Sequence, residues 1–331
     1  MRRGRELNLA GKSILVTGGA GFIGSQLTEE LLETGANVTV YDNFDKFYRG
    51  KEENLVEASR SPAFTLVRGD IRDFEVLSAA MKGKDVVIHE AGQAGVGISV
   101  DDPKTTDEVN VMGTLNVLWG ARVNGVKRVV NASSSSIFGQ PNYLPIDEGH
   151  VTNPASPYGV SKLAAEQYGK VFSKVYGLEV VSLRYFSVYG PRGRPDQVIR
   201  KFMRSLVEKK PPGITGDGSH TRDFTHVSDI VSATIGAAQT DGIGGEVFNI
   251  GFGARTSILS VAEKLIALSG LEGKVRPDFG PPSKGDFPDT QADNRKARKV
   301  LGWEPKVDLD RGLQEYVEWF LAARKKGDPR A

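Results

Sequence analysis

Tyr158 and Lys162 stand four residues apart in Tyr158-Gly-Val-Ser-Lys162. That spacing puts both side chains on one face of a helix turn. A free phenol, with a pKa of about 10, is a poor base near neutral pH. An ammonium about 4 Å away, at an effective dielectric near 20, stabilises a phenolate by about 4 kcal/mol. The pair can therefore transfer a proton, provided that other residues bring a reacting hydroxyl and a cofactor to it. On an ordinary amphipathic helix the same spacing is only a surface turn.

A second constellation follows the first apolar run. Thr17-Gly18-Gly19-Ala20-Gly21-Phe22-Ile23-Gly24 has glycines at 18, 21 and 24. A glycine turn between a strand and a helix lets the backbone approach a pyrophosphate, whose charge then meets the helix N-terminus. Phe22 and Ile23 belong to the same turn. Asp42 ends the second apolar run, eighteen residues after Gly24. A carboxylate there accepts hydrogen bonds from an adenosine ribose and repels a 2′-phosphate, so NAD is expected over NADP. Asn43 follows it. Asp70 and Ile71, after the third apolar run, are placed near the adenine, although an aspartate in a simple turn is nearly as good a reading.

These residues need strands and helices to hold them. Short apolar runs at 13–17, 37–41, 64–67, 85–89, 127–132 and 178–183 read as strands. Helical patterns lie between them at 22–34, 74–81, 107–124 and 158–175. Strands without polar alternation, separated by helices, predict a parallel sheet covered on both faces. The fold expected is α/β, a doubly wound parallel Rossmann-type sheet with a smaller mixed C-terminal substrate lobe. Loop-forming Gly190-Pro191-Arg192-Gly193-Arg194-Pro195-Asp196 follows. The boundary is set near it: a cofactor domain over 1–185 and a mainly substrate domain over 186–331, from which segments can return to the first.

Composition excludes several function classes. With 331 residues, 39% of them apolar, the chain can bury a large core. Lys plus Arg number 43 against 41 Asp plus Glu, which argues against a nucleic-acid footprint. There is no cysteine, hence no disulfide, thiolate metal site or thiol nucleophile. The four histidines show no metal-ligand spacing, and no metal is expected. The basic run Met1-Arg2-Arg3-Gly4-Arg5 precedes an apolar stretch too short for a signal peptide or a membrane span. It reads as a frayed terminus of a cytoplasmic protein with no membrane partner.

Three motifs in order, Gly18–Gly24, Ser133-Ser134-Ser135-Ser136-Ile137-Phe138-Gly139 and Tyr158–Lys162, resemble those of the extended short-chain dehydrogenases/reductases. More narrowly, the chain resembles the NAD-dependent nucleotide-sugar epimerases and dehydratases, over nearly its whole length. Leu183-Arg184-Tyr185-Phe186, Thr221-Arg222-Asp223-Phe224 and Leu301-Gly302-Trp303 agree. The resemblance implies Tyr158 as base, Lys162 on the nicotinamide ribose and Ser134 as the assisting hydroxyl. It also implies Ser135 and Ser136 near the sugar, and His89 and Asn110 near the cofactor. For the last four a structural role is an equal reading: a core histidine, a helix-cap asparagine and hydroxyls satisfying a turn.

Departures from the family pattern narrow the reaction. Dehydratases of the family carry Thr-Asp-Glu where this chain has Ser134-Ser135-Ser136, and decarboxylases carry glutamate at the position of Ser135. What remains is 4-epimerisation of a UDP-sugar through a 4-keto intermediate. Ser187 replaces an asparagine of galactose-type epimerases, and with Arg194 it matches uronate 4-epimerases, where these positions meet a carboxylate. An arginine fork suits that anion; a solvated loop charge is the other reading. Ser283 and Lys284 stand where a pyrophosphate-binding arginine is usual. Arg222 then becomes the pyrophosphate ligand, Asp286 the uridine-ribose contact, and Thr290 makes room for a larger sugar substituent. A homodimer is the family expectation. A net dehydrogenase or reductase, a decarboxylase, and a non-catalytic NAD-binding protein are the alternatives.

Overall fold

The computed structural model describes residues 8–281 and 289–331. The basic N-terminal run and Asp286, with Ser283 and Lys284, lie outside the described residues. The first half alternates strand and helix. In order come β1 (Ser13–Thr17), α1 (Phe22–Glu33), β2 (Asn37–Asp42), β3 (Phe64–Arg68), α2 (Phe74–Met81) and β4 (Val86–His89). Then come α3 (Val96–Asp101), α4 (Pro103–Asp107), a π-helical turn over Glu108–Met112, α5 (Gly113–Val123), β5 (Arg128–Ser134), α6 (Pro157–Tyr176) and β6 (Glu179–Tyr185). The single helix expected over 107–124 is broken by that π turn, a local widening of the backbone ladder that turns Asn110 inward.

The later chain is less regular: β7 (Ser187–Tyr189), α7 (Val198–Val207), β8 (Gly213–Thr215), β9 (Thr221–Arg222), β10 (Phe224–His226) and α8 (Val227–Gln239). It closes with β11 (Val247–Ile250), β12 (Thr256–Ser257), α9 (Ile258–Leu268), β13 (Asp278–Gly280), α10 (Arg295–Leu301) and α11 (Leu309–Lys325). Seven strands form one parallel sheet in the order β11-β6-β5-β4-β1-β2-β3. Its inner strands are buried on both faces, and the polar members of β5 are hydrogen-bonded there, Arg128 to Ala238 O and Asn131 to Ser182 Oγ. The strand β11 comes from the C-terminal half and completes the sheet beside β6.

Each sheet face has its own core. Ile14, Val16, Leu27, Val130, Leu183 and Phe248 pack under α1 and α8. Leu15, Val87, Leu118, Val129 and Phe172 pack under α2, α5 and α6. A third cluster, around Phe202, Leu265 and Phe320, joins α7, α9 and α11 into the smaller lobe. No helix among the described residues is long and apolar enough to cross a membrane.

Candidate active site

The sheet's strand order reverses at β1 and β4, so their carboxyl ends open a crevice. A cavity of about 850 Å³ lies there, between the sheet and the smaller lobe. Gly18, Gly21, Phe22, Ile23 and Gly24 form one end of its wall. Gly18 has φ +70°, and an added Cβ would sit 2.6 Å from the Ala91 nitrogen. A Cβ on Gly24 would clash with the Gly18 carbonyl oxygen. Glycine is thus required by a left-handed turn and by close helix–strand packing. Helix α1 starts at Phe22 on the Gly21 cap, whose lack of a side chain leaves the first turn capped by none of its own residues, and the Tyr48 hydroxyl accepts from the Phe22 backbone there.

Asp42 lines the same end. Its carboxylate accepts from Ala20 N at 3.0 Å and Phe44 N at 2.8 Å, which fixes it at the end of β2. Asn43, Asp70 and Ile71 follow along the wall. Asn43 donates to Asp70 at 2.9 Å, and Arg72 pairs with Asp70 at 2.8 Å. The Arg72 hydrogen bond holds the Asp70 carboxyl well below its usual range. These residues fit a dinucleotide: a glycine cradle at a helix N-terminus and a fixed carboxylate at the strand end.

Ser134, Tyr158 and Lys162 stand together at the other end. Ser134 is the last residue of β5 and caps the turn that follows, its Oγ accepting from Ser136 N at 3.1 Å. Helix α6 starts on the Ser156 cap, whose Oγ accepts from Gly159 N at 3.2 Å, with Pro157 in the first turn. Tyr158 therefore sits in the first turn and Lys162 one turn on. The Lys162 ammonium is buried and donates to Ala132 O at 2.8 Å. One turn further, Glu166 is fully buried and takes a bidentate fork from Arg184 at 2.8 and 2.7 Å, locking α6 to β6.

Other expected residues stand behind the wall. His89 is buried between Thr17 and Thr114, its ring nitrogens 2.7 and 2.9 Å from their hydroxyls. Burial, with the Lys162 charge second, pushes it down to about 3, so it is a neutral core histidine. Asn110 uses its amide on Gln93 N, Gln93 O and Ser161 Oγ, at 2.8 to 3.0 Å. It shapes the loop that faces the cavity and does not face it. Ser135 and Ser136 form the turn after Ser134 and do not line the cavity. Thr290 is buried, with Oγ1 accepting from Asp223 N at 3.2 Å. It braces the strand after Arg222 and does not widen the cavity.

Ser187, Arg194 and Arg222, the residues expected to meet the substrate, all line the cavity. Arg194 pairs with Asp196 through Nε and Nη2, at 3.0 and 2.9 Å. Burial opposes its charge, but Asp196 more than offsets this, and the field of Tyr158 adds to it. Arg222 donates to the Thr221 carbonyl at 2.8 Å. The Arg194 loop is clipped to α1: Arg192 reaches Glu29 at 2.9 and 3.0 Å, and Gln26 donates to Pro191 O at 3.0 Å. Arg192 adopts φ +66°, a strained conformation for a non-glycine that its contacts hold in place. Sequence reasoning missed Arg192, Glu29, Glu166 and Glu90, because none belongs to a spaced motif. Among the described residues no cluster of three or more His, Cys, Asp or Glu could hold a metal ion.

Fold and site together define a dinucleotide-binding enzyme of the short-chain dehydrogenase type. Residues 15–316 match the GDP-mannose 4,6 dehydratase family, and the chain belongs to this family of NAD-dependent epimerases and dehydratases. It is 38% identical over 312 residues to a putative UDP-glucose 4-epimerase of Methanocaldococcus jannaschii, covering 93% of this chain and 98% of that protein. It is 38% identical over 310 residues to the UDP-glucuronate 4-epimerase of Thermodesulfobacterium geofontis, covering 92% and 95%. It also resembles the UDP-glucuronic acid 4-epimerase of Bacillus cereus solved with UDP-glucuronic acid and NAD, with a TM-score of 0.87, 34% identity, and 94% and 99% coverage.

Proposed function

We propose that the protein is an NAD-dependent UDP-sugar 4-epimerase. One observation carries this reading: the glycine turn, Asp42, Ser134, Tyr158 and Lys162 share one cavity. The turn at Gly18–Gly24 and Asp42 hold the dinucleotide, with Lys162 on its nicotinamide ribose. Tyr158 takes the proton of the sugar C4 hydroxyl, and Ser134 hydrogen-bonds the same oxygen as it becomes a carbonyl. When bound, NAD supplies a hydride acceptor that gives the hydride back within the turnover, so no net redox change results. C4 is inverted when the 4-keto sugar has presented its other face to the cofactor side of the cavity, and Tyr158 then gives the proton back to the C4 oxygen. Arg222 takes the pyrophosphate of UDP. Ser135 is the residue where dehydratases of the family hold an acid, and its hydroxyl supplies none, which disfavours water loss.

UDP-glucuronate is the favoured sugar. Arg194 lies in the cavity within the field of Tyr158, and its Nη1 is not used in the pair with Asp196. That leaves a donor for the C6 carboxylate, with Ser187 beside it. Resemblance to both UDP-glucose and UDP-glucuronate epimerases is consistent with a site that differs chiefly at this end.

We propose further that two copies pair through α5 and α6. Trp119 and Val123 on α5, and Val160, Val171 and Val175 on α6, leave 39 to 61% of their surface exposed. Their spacings put them on one face of each helix, and the two helices are neighbours. A second copy of the same face covers them; sedimentation showing only monomer at micromolar concentration removes this part.

The reaction is tested by incubating purified protein separately with UDP-glucose, UDP-GlcNAc and UDP-glucuronate and resolving C4 epimers. Absence of any epimer sinks the proposal. Steady accumulation of reduced nicotinamide favours a net dehydrogenase instead.

A further inference from the structure

Glu90 is the residue after β4, and it lines the cavity near Lys162. Its backbone is fixed, its N–H donating to Thr17 O at 3.0 Å. Its Oε1 accepts from the Tyr185 hydroxyl at 2.8 Å. Tyr185 Oη lies 2.8 Å from Thr234 Oγ1, which donates to Ile230 O at 2.8 Å. This chain closes in both charge states. With the carboxyl ionised, Thr234 donates to Tyr185 and Tyr185 to Glu90. With it protonated, Glu90 donates to Tyr185, Tyr185 to Thr234, and Thr234 to Ile230. Neither state leaves a buried donor or acceptor orphaned.

Position gives this switchable charge a target. Asp42 and Asp70 mark the adenosine end of the cavity, and Ser134, Tyr158 and Lys162 the reacting end. Glu90 shares the field of Lys162, so it stands at the reacting end. On the reading of the site given above, the nicotinamide lies there too, since hydride transfer needs its ring against the sugar carbon. The oxidised ring carries a positive charge and the reduced ring does not. Two ligands of one shape and different charge are told apart by a charged group in the wall.

We propose that Glu90 tunes the bound nicotinamide: its carboxylate favours the oxidised, cationic ring over the reduced, neutral one, and its protonation removes that preference. Burial lifts the Glu90 carboxyl to about 7, against a Tyr185 hydrogen bond and the Lys162 charge, which both pull it down. The groups acting on it are Lys162 from α6, Tyr185 from β6 and, through Tyr185, Thr234 from α8. The neighbouring His89 ring is engaged elsewhere, with Thr17 and Thr114.

The experiment titrates NADH by its fluorescence, and NAD by competition, into nucleotide-stripped protein between about pH 5.5 and pH 8.5. The ratio of the NADH to the NAD dissociation constant is expected to rise about tenfold across that range. In Glu90→Gln the ratio stays flat. In Tyr185→Phe the rise persists but its midpoint moves to higher pH, because the hydrogen bond that favours the carboxylate is gone. A Glu90→Gln protein that keeps the native pH dependence overturns the proposal, as does a native ratio that does not change with pH. A protein that discriminates the two nucleotides as expected but epimerises no UDP-sugar keeps this inference and loses the reaction. Epimerisation with a pH-independent ratio does the reverse.

Discussion

The Lys162 ammonium donates to the carbonyl of Ala132 at 2.8 Å, two residues before Ser134 on the same strand. With Ser133 Oγ donating to Glu166 at 3.1 Å, this bond ties α6 to the end of β5, the two elements that carry Tyr158 and Ser134. Tyr158→Phe keeps the ring and removes the proton carrier. It is expected to lower kcat for C4 epimerisation by at least about 10²-fold, with NAD binding within a few-fold of native. Unchanged turnover removes Tyr158 from its role.

Glu166 and Arg184 form a bidentate pair with both side chains nearly free of solvent. Losing Arg184 removes the fork and leaves the buried Glu166 with only the partly exposed Lys170, at 3.0 Å, and the Ser133 hydroxyl, at 3.1 Å. Arg184→Leu is expected to cost about 3–5 kcal/mol in urea unfolding. The double variant Arg184→Leu with Glu166→Leu should recover much of that loss. A cost under about 1 kcal/mol for the single variant would falsify the view that this pair anchors α6.

Arg194→Leu separates sugars by charge. A charge-assisted hydrogen bond contributes about 1.5–3 kcal/mol, which is about ten- to a hundred-fold in affinity. The KM for UDP-glucuronate is expected to rise by that factor, while that for UDP-glucose changes less than about threefold. An equal change for both substrates would show that Arg194 supports the loop and does not read the carboxylate.

The Gly24→Ala change places a methyl group against the Gly18 carbonyl oxygen. Backbone has no rotamer through which to retreat, so the turn must shift. NAD affinity measured by calorimetry should fall at least about tenfold, since a displacement of this loop spoils several backbone contacts together. Native affinity in that variant would mean that the turn is not the pyrophosphate site.

Stability should respond to pH through Glu90. Its folded-state carboxyl is lifted from 4.5 to about 7, so the protonated form favours the fold. That contribution is complete below about pH 4.5 and is lost as pH rises through about 7. Glu90→Gln should therefore gain stability relative to native protein between about pH 5 and pH 8. Chemical denaturation at the two pH values measures it; a difference that does not change with pH contradicts the lifted carboxyl. The size is reduced by the part of Glu90 that faces the open cavity.

The sheet was legible in the sequence because parallel strands buried on both faces carry apolar residues without strict polar alternation, as Ile14-Leu15-Val16, Val86-Val87-Ile88 and Val129-Val130 do. The turn at Gly18–Gly24 was legible because only glycine tolerates its φ and its contacts. The Tyr158–Lys162 pair was legible because a four-residue spacing is fixed by the helix itself. Each of these is a local constraint, and local constraints leave patterns in neighbouring positions.

Long-range pairing leaves no such pattern. Nothing in Val247–Ile250 announces that it completes the sheet beside β6, since any short apolar run can pair at many edges. His89 and Asn110 match positions near a cofactor, yet their side chains are satisfied by Thr17, Thr114, Gln93 and Ser161 and turn away from the cavity. Thr290 was expected to shape the sugar pocket and braces Asp223 instead. The sequence alone determined the residue types that the chemistry needs and the elements that carry them. Which of these residues face one another was decided only by the tertiary structure, because a buried polar group goes to whichever partner the packing brings within hydrogen-bond reach.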